Sequence, residues 1–262
     1  MTSPRVVAVI PAAGVGSRMQ ADRPKQYLTL NGKTILEHTI DALLQHPLID
    51  DVIVAISPGD AYFDQYRLRE KPIRVVDGGK ERADSVLNGL MSLGENDWAL
   101  VHDAARPCIE ESDISALLEL MSSDDVSGGI LATPVRDTMK RVKPSTNVIS
   151  HTEDRDGLWH ALTPQLFPAT LLKRALQNGL SQGANITDEA SAMELEGYKV
   201  AMVSGSPANI KITHPADLPL AEFYLKQKLS AQGQNAQNYR AQSHSAKNPC
   251  PIRIMIVPFD FL

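Results

Sequence analysis

The chain has 262 residues, of which 43% are hydrophobic and 22% charged, and its formal net charge is −5. This composition is typical of a globular protein with one substantial core, and the acidic balance disfavours an extended nucleic-acid surface. Two cysteines and the lack of any apolar run near the ~20 residues of a membrane span predict a reduced, cytoplasmic setting.

Short apolar runs alternate with helical patterns along the first part of the chain. They predict strands at Val6–Ile10, Val52–Ile56, Ile73–Val76 and Ala99–Val101, and helices at Thr34–Leu44 and Arg82–Leu93. This alternation is typical of an α/β fold with a mostly parallel sheet and helices on both faces. Ligands bind beyond the carboxyl ends of such strands, so the loops at Pro11, Asp77 and His102 are expected to meet at one edge.

The first loop, Pro11-Ala-Ala-Gly-Val-Gly-Ser-Arg18-Met19, is rich in small residues and is soon followed by Pro24-Lys25-Gln. Small residues let backbone N–H groups approach phosphates, and Arg18 and Lys25 can neutralise phosphate charge. Met19 stands where a dinucleotide fingerprint needs its third glycine, and the Walker A pattern is absent. The loop therefore predicts a nucleotide site that acts on phosphates.

The next two strand ends carry two further motifs. In Asp77-Gly-Gly-Lys-Glu-Arg82-Ala-Asp-Ser85, backbone groups could bond a base edge and Ser85 a phosphate or ribose; an ordinary Gly-Gly turn is the alternative. In His102-Asp103-Ala-Ala-Arg106-Pro107, Asp103 is well placed to hold Mg²⁺ and Arg106 to bind a second anion. A salt bridge between Asp103 and Arg106 that closes the loop is the other interpretation.

The middle of the chain breaks the α/β rhythm. After a predicted strand at Gly128–Pro134, residues 137–156, which we call the arm, are charged and poor in core-sized side chains. Weakly alternating segments at Thr138–Val142 and Val148–Thr152 flank a turn at 143–147 and predict a hairpin. Such a hairpin cannot build its own core, so it either extends into solvent or packs on a partner.

The α/β pattern resumes at Leu158. It predicts helices at Pro168–Leu176, Asp188–Leu195 and His214–Leu229 and a strand at Lys199–Val203, with Thr187 as a helix cap followed by two acids. Asn209-Ile-Lys211-Ile-Thr213 alternates, which places Lys211 on one face of an extended segment. We assign one domain to residues 1–230 and an atypical tail to residues 231–262, a polar linker with a short apolar end.

These motifs resemble the Rossmann-like nucleotidyltransferases that build activated sugars and polyols. The strings D-G-G-x-x-R-x-x-S and H-D-A-A-R-P are similar, more narrowly, to the 2-C-methyl-D-erythritol 4-phosphate cytidylyltransferase family of the non-mevalonate isoprenoid pathway. The resemblance ends near residue 229. It implies a homodimer with a protruding β-hairpin dimerisation arm, and cytidylyl transfer from CTP by in-line attack at the α-phosphorus with Mg²⁺.

The resemblance also implies roles for individual residues. Asp103 would hold the metal, and Arg18, Lys25 and Lys211 would stabilise charge on the phosphates. Residues implied to bind CTP are Pro11, Ala12, Ala13, Gly14, Gly16, Gly79, Lys80 and Ser85. Those implied to bind the acceptor are Arg106, Thr138, Arg155, Thr163, Thr187 and Thr213, with Thr138 and Arg155 reaching into the neighbouring subunit.

Several alternatives stay open at this stage. Thr163 and Thr213 could be strand formers and Thr187 only a helix cap. Ala208 stands where relatives carry an acid, which leaves a second metal carboxylate in doubt. The chain could use another polyol phosphate such as ribitol 5-phosphate, be a nicotinamide-dependent reductase, or be a non-catalytic nucleotide-binding module.

Overall fold

A computed structural model of the chain describes residues 4–14, 19, 21–66 and 68–230. It divides into two compact units, Met1–Glu222 and Phe223–Leu262. Residues 217–222 end the first unit as helix, and the described residues of the second, 223–230, are also helical. The predicted tail at 231–262 lies outside the described residues. No helix in the described ranges combines the length and apolar content that a bilayer span requires.

The first unit contains the α/β elements. Its strands are β1 (Val6–Pro11), β2 (Thr29–Leu30), β3 (Lys33–Thr34), β4 (Asp51–Ile56), β5 (Arg74–Asp77), β6 (Trp98–Val101), β7 (Gly129–Pro134), β8 (Lys140–Val142), β9 (Ile149–Thr152), β10 (Trp159–Pro168) and β11 (Ala201–Ser204). Its helices are α1 (Ile35–Leu44), α2 (Ala61–Gln65), α3 (Arg82–Leu90), α4 (Glu111–Leu118), α5 (Ala169–Ser181) and α6 (Glu189–Leu195).

A seven-stranded sheet in the order β11-β7-β10-β6-β1-β4-β5 forms the centre of this unit. Its strand pairs are parallel except those of β10, which runs antiparallel to both β6 and β7. The prediction of a mostly parallel α/β sheet is confirmed. Since the parallel strands end on the same side, their loops collect at one edge.

The core lies on both faces of the sheet because side chains alternate along each strand. In β1, Ala8 and Ile10 face one apolar cluster, which includes Leu36 of α1, while Val7 and Val9 face the other, which includes Val86 of α3. These β1 side chains are fully buried. The strand is therefore held from both sides at the point where it enters the first loop.

The helix and strand predictions are largely correct, with identifiable exceptions. Thr34 caps α1 as predicted, since its hydroxyl accepts a hydrogen bond from the Glu37 N–H. Thr187 was the expected cap of α6, but the cap is Asp188, which forms a capping box with Ser191. An Asp carboxylate caps as well as a hydroxyl does, so pattern alone does not separate two adjacent candidates. In addition, α3 ends at Leu90 rather than Leu93, and α5 continues to Ser181 rather than Leu176.

The arm forms the predicted hairpin. Within the described part of the chain, strands β8 and β9 pair only with each other, as an antiparallel two-stranded sheet. Val142, Val148 and Ile149 are exposed, between 49% and 58% of their full accessibility. The hairpin thus has no apolar core of its own within the described chain, in keeping with the limited apolar content of its sequence.

Candidate active site

The loops after β1, β5 and β6 surround one cavity of about 390 Å³, which we call the strand-end cavity. Lys25 and Gln26 of the short 3₁₀ turn Lys25–Tyr27, together with Lys211, complete its wall. The prediction that these three loops meet at one edge of the sheet is confirmed.

The structure brings together ten of the residues singled out from the sequence. These line the cavity: Pro11, Ala12, Ala13, Gly14, Lys25, Gly79, Lys80, Ser85, Asp103 and Lys211. Gly16 and Arg18 lie outside the described residues. The remaining six do not line the cavity: Arg106, Thr138, Arg155, Thr163, Thr187 and Thr213.

The first loop is held in place by a glutamine that the sequence analysis gave no role. The Gln26 side-chain amide is buried and donates to the carbonyls of Ala12, at 2.7 Å, and Gly14, at 3.1 Å. Ser57 donates to the intervening Ala13 carbonyl at 2.9 Å. These bonds occupy carbonyls. The Ala12 N–H donates to the Ala55 carbonyl at 2.7 Å, so the donors toward an anion in the described part of the loop are the N–H groups of Ala13 and Gly14.

Lys25 is held in place by a buried neighbouring residue and by a hydrogen bond of its own. Tyr27, two residues further on, is fully buried, stacks on Tyr62 and Tyr66, and donates its hydroxyl to Asp60 at 2.7 Å. The Lys25 ammonium donates to the Ile212 carbonyl at 2.9 Å. The charge is thus positioned on the cavity wall next to the segment that carries Lys211.

The second loop packs closely against the first. A Cβ added to Gly78 would lie 2.5 Å from the Ala13 Cβ, which leaves room only for glycine. The Ser85 hydroxyl is buried, accepts from the Gly79 N–H at 3.0 Å and donates to the Glu81 carbonyl at 3.2 Å. Ser85 therefore fixes the glycine loop, and the Gly79 N–H already has a partner.

Asp103 lies at the centre of a cluster of cations. Its Oδ1 accepts from Arg82 Nε at 3.0 Å, and its Oδ2 contacts Lys211 Nζ at 2.9 Å and Arg106 Nε at 3.4 Å. The predicted Asp103–Arg106 salt bridge is thus one part of a larger network. Burial alone would raise the pKa of Asp103, but Arg82, Lys211 and Arg106 hold that pKa well below its usual range. The carboxylate is therefore ionised at any physiological pH.

A buried hydrogen-bond chain fixes the backbone of Asp103. Its N–H donates to the Thr163 hydroxyl at 3.0 Å; this hydroxyl lies 3.0 Å from His102 Nδ1, and His102 Nε2 lies 3.0 Å from the Arg106 carbonyl. A carbonyl only accepts, so Nε2 carries the proton and Nδ1 accepts from Thr163. Burial lowers the pKa of His102 to about 4, which keeps the ring neutral. Thr163 and His102 thus support Asp103 from behind the cavity.

Arg106 also lies behind the cavity wall. It is buried, and its Nη1 donates to the Asn209 carbonyl at 2.7 Å, while the Asn209 side chain donates to the Thr163 carbonyl at 2.7 Å. These bonds join the segment before Lys211 to the loop after β6. The observed neighbours of Arg106 are protein groups that orient the site.

Four of the predicted acceptor-binding residues stand apart from this network. Thr138 and Arg155 are exposed on the arm, where Arg155 donates to the Arg136 carbonyl. Thr187 is exposed just before α6, and Thr213 donates its hydroxyl to the Lys211 carbonyl at 3.2 Å. The single chain therefore assembles the cation-rich side of the site and leaves the arm residues away from it.

The donor set suits a divalent cation shared with a ligand. Among the described residues, no group of three or more His, Cys, Asp or Glu side chains could hold a metal. An ionised carboxylate offers about four lone-pair positions, and Arg82, Lys211 and Arg106 occupy three of those of Asp103. One position remains, and Mg²⁺ is commonly held by one or two carboxylates together with substrate phosphates.

The pairing of Arg82 with Glu189 is not predictable from the sequence motifs. Glu189 is fully buried, and its two carboxylate oxygens accept from the Arg82 guanidinium at 2.6 and 3.0 Å. Glu189 had been interpreted only as an acid on the positive end of a helix. A fully buried acid needs a cation. Because these two residues are 107 positions apart in the sequence, no local pattern indicates that they pair.

Comparison with known proteins agrees with these motifs. The family profile described as 2-C-methyl-D-erythritol 4-phosphate cytidylyltransferase matches residues 6–227. The protein of that name from Alteromonas mediterranea is 85% identical over 91% of this chain and 100% of its own length. The one from Serratia proteamaculans is 59% identical over 86% of this chain and 96% of its own length.

A solved structure gives the same result. The crystal structure of Francisella tularensis 2-C-methyl-D-erythritol 4-phosphate cytidylyltransferase superposes with a TM-score of 0.72 at 39% identity. The match covers 84% of this chain and 99% of that one. This chain and the Francisella tularensis protein thus share their fold.

Proposed function

The chain belongs to the 2-C-methyl-D-erythritol 4-phosphate cytidylyltransferase family, and on that premise we propose that it transfers CMP from CTP to 2-C-methyl-D-erythritol 4-phosphate. The products are the CDP-polyol, 4-diphosphocytidyl-2-C-methyl-D-erythritol, and pyrophosphate. The observation that carries the proposal is the meeting of a small-residue loop, Lys25, Lys211 and Asp103 around one cavity. This combination suits a nucleoside triphosphate held at its phosphates.

The proposed reaction is a single in-line displacement. An oxygen of the acceptor phosphate forms a bond to the α-phosphorus of CTP, and the bond from that phosphorus to the bridging oxygen breaks as pyrophosphate leaves. The acceptor phosphate is already ionised at neutral pH, so no general base is needed. His102 is suited to this scheme because it is neutral, buried and bonded through both ring nitrogens.

The cations of the cavity supply charge stabilisation. In the proposal, Lys25 and Lys211, together with Arg18, balance the negative charge that builds on the α-phosphate and on the leaving pyrophosphate. Lys211 lies 2.9 Å from Asp103 and is 39% exposed, so its ammonium is within reach of a ligand entering the cavity. A preorganised donor of this kind is worth about 2.7–4 kcal/mol in the transition state.

We assign metal binding to Asp103, whose ionised carboxylate retains one lone-pair position. Bound there, Mg²⁺ would neutralise charge on the triphosphate and help to orient it. Arg82, Arg106 and Lys211 keep the carboxylate ionised and aligned in its absence. The same proposal assigns CTP contacts to Pro11, Ala12, Ala13, Gly14, Gly16, Gly79, Lys80 and Ser85.

The acceptor half of the site is assigned to a homodimer. In this proposal the arm packs on a second copy of the chain and brings Thr138 and Arg155 to the neighbour's cavity. Two observations support it: the arm exposes Val142, Val148 and Ile149, and neither Thr138 nor Arg155 lines the cavity of its own chain. Thr187 and Thr213 remain predicted acceptor contacts, and a cytoplasmic location remains predicted from the cysteine content.

The test is pyrophosphate release from CTP and Mg²⁺ with 2-C-methyl-D-erythritol 4-phosphate and ribitol 5-phosphate as parallel acceptors. The proposal predicts release with the first acceptor and none above background with the second. Release with ribitol 5-phosphate alone would preserve the chemistry and overturn the substrate. No release with either acceptor, from folded protein that binds CTP, would indicate a nucleotide-binding module.

A further inference from the structure

An acid outside the cavity wall is connected to the reaction centre through a single side chain. Glu189, the first residue of α6, is fully buried, which is costly for a carboxylate unless a cation pairs with it. Its two oxygens accept from Arg82 Nη1 at 2.6 Å and Nη2 at 3.0 Å. This is the bidentate geometry in which a guanidinium is held most firmly.

The remaining side-chain nitrogen of Arg82 points to Asp103. Arg82 Nε donates to Asp103 Oδ1 at 3.0 Å, so one planar group bridges the two carboxylates. Burial alone would lower the pKa of Arg82, but Glu189 and Asp103 outweigh burial and raise that pKa. Because a guanidinium is rigid and planar, the two hydrogen bonds to Glu189 also fix the direction in which Arg82 Nε points.

Glu189 and Arg82, the two residues of the bridge, each lie at the start of a helix. The start of α6 is held by Gln165, which donates to Asp188 Oδ2 at 2.9 Å and accepts from the Ala190 N–H at 2.9 Å. Arg82 is the first residue of α3, directly after the loop that carries Gly79 and Lys80. The guanidinium therefore connects that loop, Asp103 and α6.

We propose that Glu189 is a positioning residue for the nucleotidyl transfer, acting through Arg82 to hold Asp103 and the second loop in their working arrangement. Glu189 does not line the cavity, so it acts through Arg82 and not by direct contact with the substrate. It also engages a cation that lines the cavity and would otherwise bind the triphosphate directly. This inference rests on the proposed function, because the arrangement it protects is the one assigned to CTP.

The test compares Glu189→Gln, Arg82→Lys and the double variant with wild type. Asp41→Asn serves as a matched control, because Asp41 pairs with Lys33 at 2.6 Å and Lys71 at 2.5 Å and does not line the cavity. The measurements are kcat, the KM for each substrate, the Kd for CTP by calorimetry, and Tm. We expect Glu189→Gln to lower kcat about tenfold or more with no increase in the KM or Kd for CTP, because the released Arg82 still binds phosphate.

The pair is expected to act as one unit. The double variant should then lose no more kcat than the worse single variant, whereas independent residues would multiply their losses. Asp41→Asn should lower Tm and leave kcat unchanged. Glu189→Gln with kcat within about twofold of wild type, or with multiplied losses in the double variant, would overturn the proposal.

Two further measurements keep the inference testable. If Glu189→Gln does not fold, Glu189→Asp keeps the charge but shortens the side chain by one methylene, and we expect it to fold with reduced kcat; wild-type kcat would overturn the proposal. Wild-type protein that binds CTP but does not turn over would contradict the proposed function instead. Calorimetry then still tests the pair, because tighter CTP binding by Glu189→Gln, through the released Arg82, supports the proposal and equal or weaker binding contradicts it.

Discussion

In the strand-end cavity Arg82 and Asp103 are each held by two or three oppositely charged groups, whereas Arg155 and Thr138 of the arm are exposed. Arg82 bonds two carboxylates through three nitrogens, and Asp103 meets three cations. On the arm, Arg155 donates to one backbone carbonyl and Thr138 is exposed. The cavity is organised within one chain, while the apolar side chains of the arm are exposed in it. The two regions are therefore expected to respond differently to mutation.

The largest expected effect is at the cavity. Lys25→Ala should lower kcat by about 10²–10³, the cost of losing a preorganised charge-stabilising donor. It should leave the fold intact because the Lys25 side chain lines the cavity and is not part of the apolar core. Arg18→Ala, outside the described residues, is expected to behave alike. Steady-state kinetics with circular dichroism checks both. Lys33→Ala, which breaks a pair with Asp41 away from the cavity, is the control and should keep wild-type kcat. Near-normal turnover of Lys25→Ala would remove its assigned role.

Mutation of Arg155 on the arm should change the KM for one of the two substrates only. Arg155→Ala is predicted to raise the KM for the polyol phosphate about tenfold or more, the value of a charge-assisted bond, and to change the KM for CTP by less than about twofold. Arg141→Ala, which removes an arm arginine paired with Glu153, should change neither KM. Equal increases for both substrates in Arg155→Ala would mean that Arg155 does not mark the acceptor pocket.

Contact between the first two loops can be tested by adding a single methyl group. Gly78→Ala places a Cβ 2.5 Å from the Ala13 Cβ, and this overpacking should lower the free energy of unfolding by about 1–3 kcal/mol and raise the KM for CTP. Gly94→Ala is the matched control, since its nearest neighbour would lie at an ordinary 3.5 Å. Denaturant titration of both variants decides the matter. Equal stability of the two would show that the loops are not closely packed.

The smallest expected effect is the pH dependence from His102. Its pKa is about 4 in the folded state and about 6.5 when unfolded, so its contribution to stability is present above pH 6.5 and is lost as the pH falls toward 4. Between pH 7 and pH 6 this amounts to about 0.7 kcal/mol. His102→Gln, which cannot titrate, should lose that much less stability than wild type in paired urea titrations. Identical losses would contradict the buried, neutral state of His102.

The sequence was sufficient for elements with a clear hydrophobic period. Strand β1 and helix α1 were predicted to within one residue because a buried strand and an amphipathic helix each repeat locally. Strand β10 was not predicted, because Trp159–Pro168 mixes prolines and polar residues and its pairing shifts register between Ala161 and Gln165. Its antiparallel insertion between β6 and β7 depends on distant segments, which local patterns do not record.

The residues of the site also fall into two groups, those that short motifs predict and those whose contacts depend on the folded chain. Short motifs predict which loops converge. The structure confirms that Lys25, Gly79, Asp103 and Lys211, which these motifs contain, line one cavity. The supporting residues were not predicted, because the bonds of Gln26 to the first loop and of Glu189 to Arg82 depend on the folded geometry. For Thr163, the resemblance implied an acceptor contact, but only the structure shows its hydroxyl between His102 and the Asp103 backbone.

The central claim is that one chain builds the nucleotide half of the site and a second copy supplies the acceptor half. Mixing Lys25→Ala with Arg155→Ala protein after dissociation tests it most directly. A mixed dimer has one site with an intact cavity and an intact neighbouring arm, so random pairing should restore about a quarter of wild-type activity at low acceptor concentration. Activity no greater than the sum of the two variants measured separately would contradict the claim.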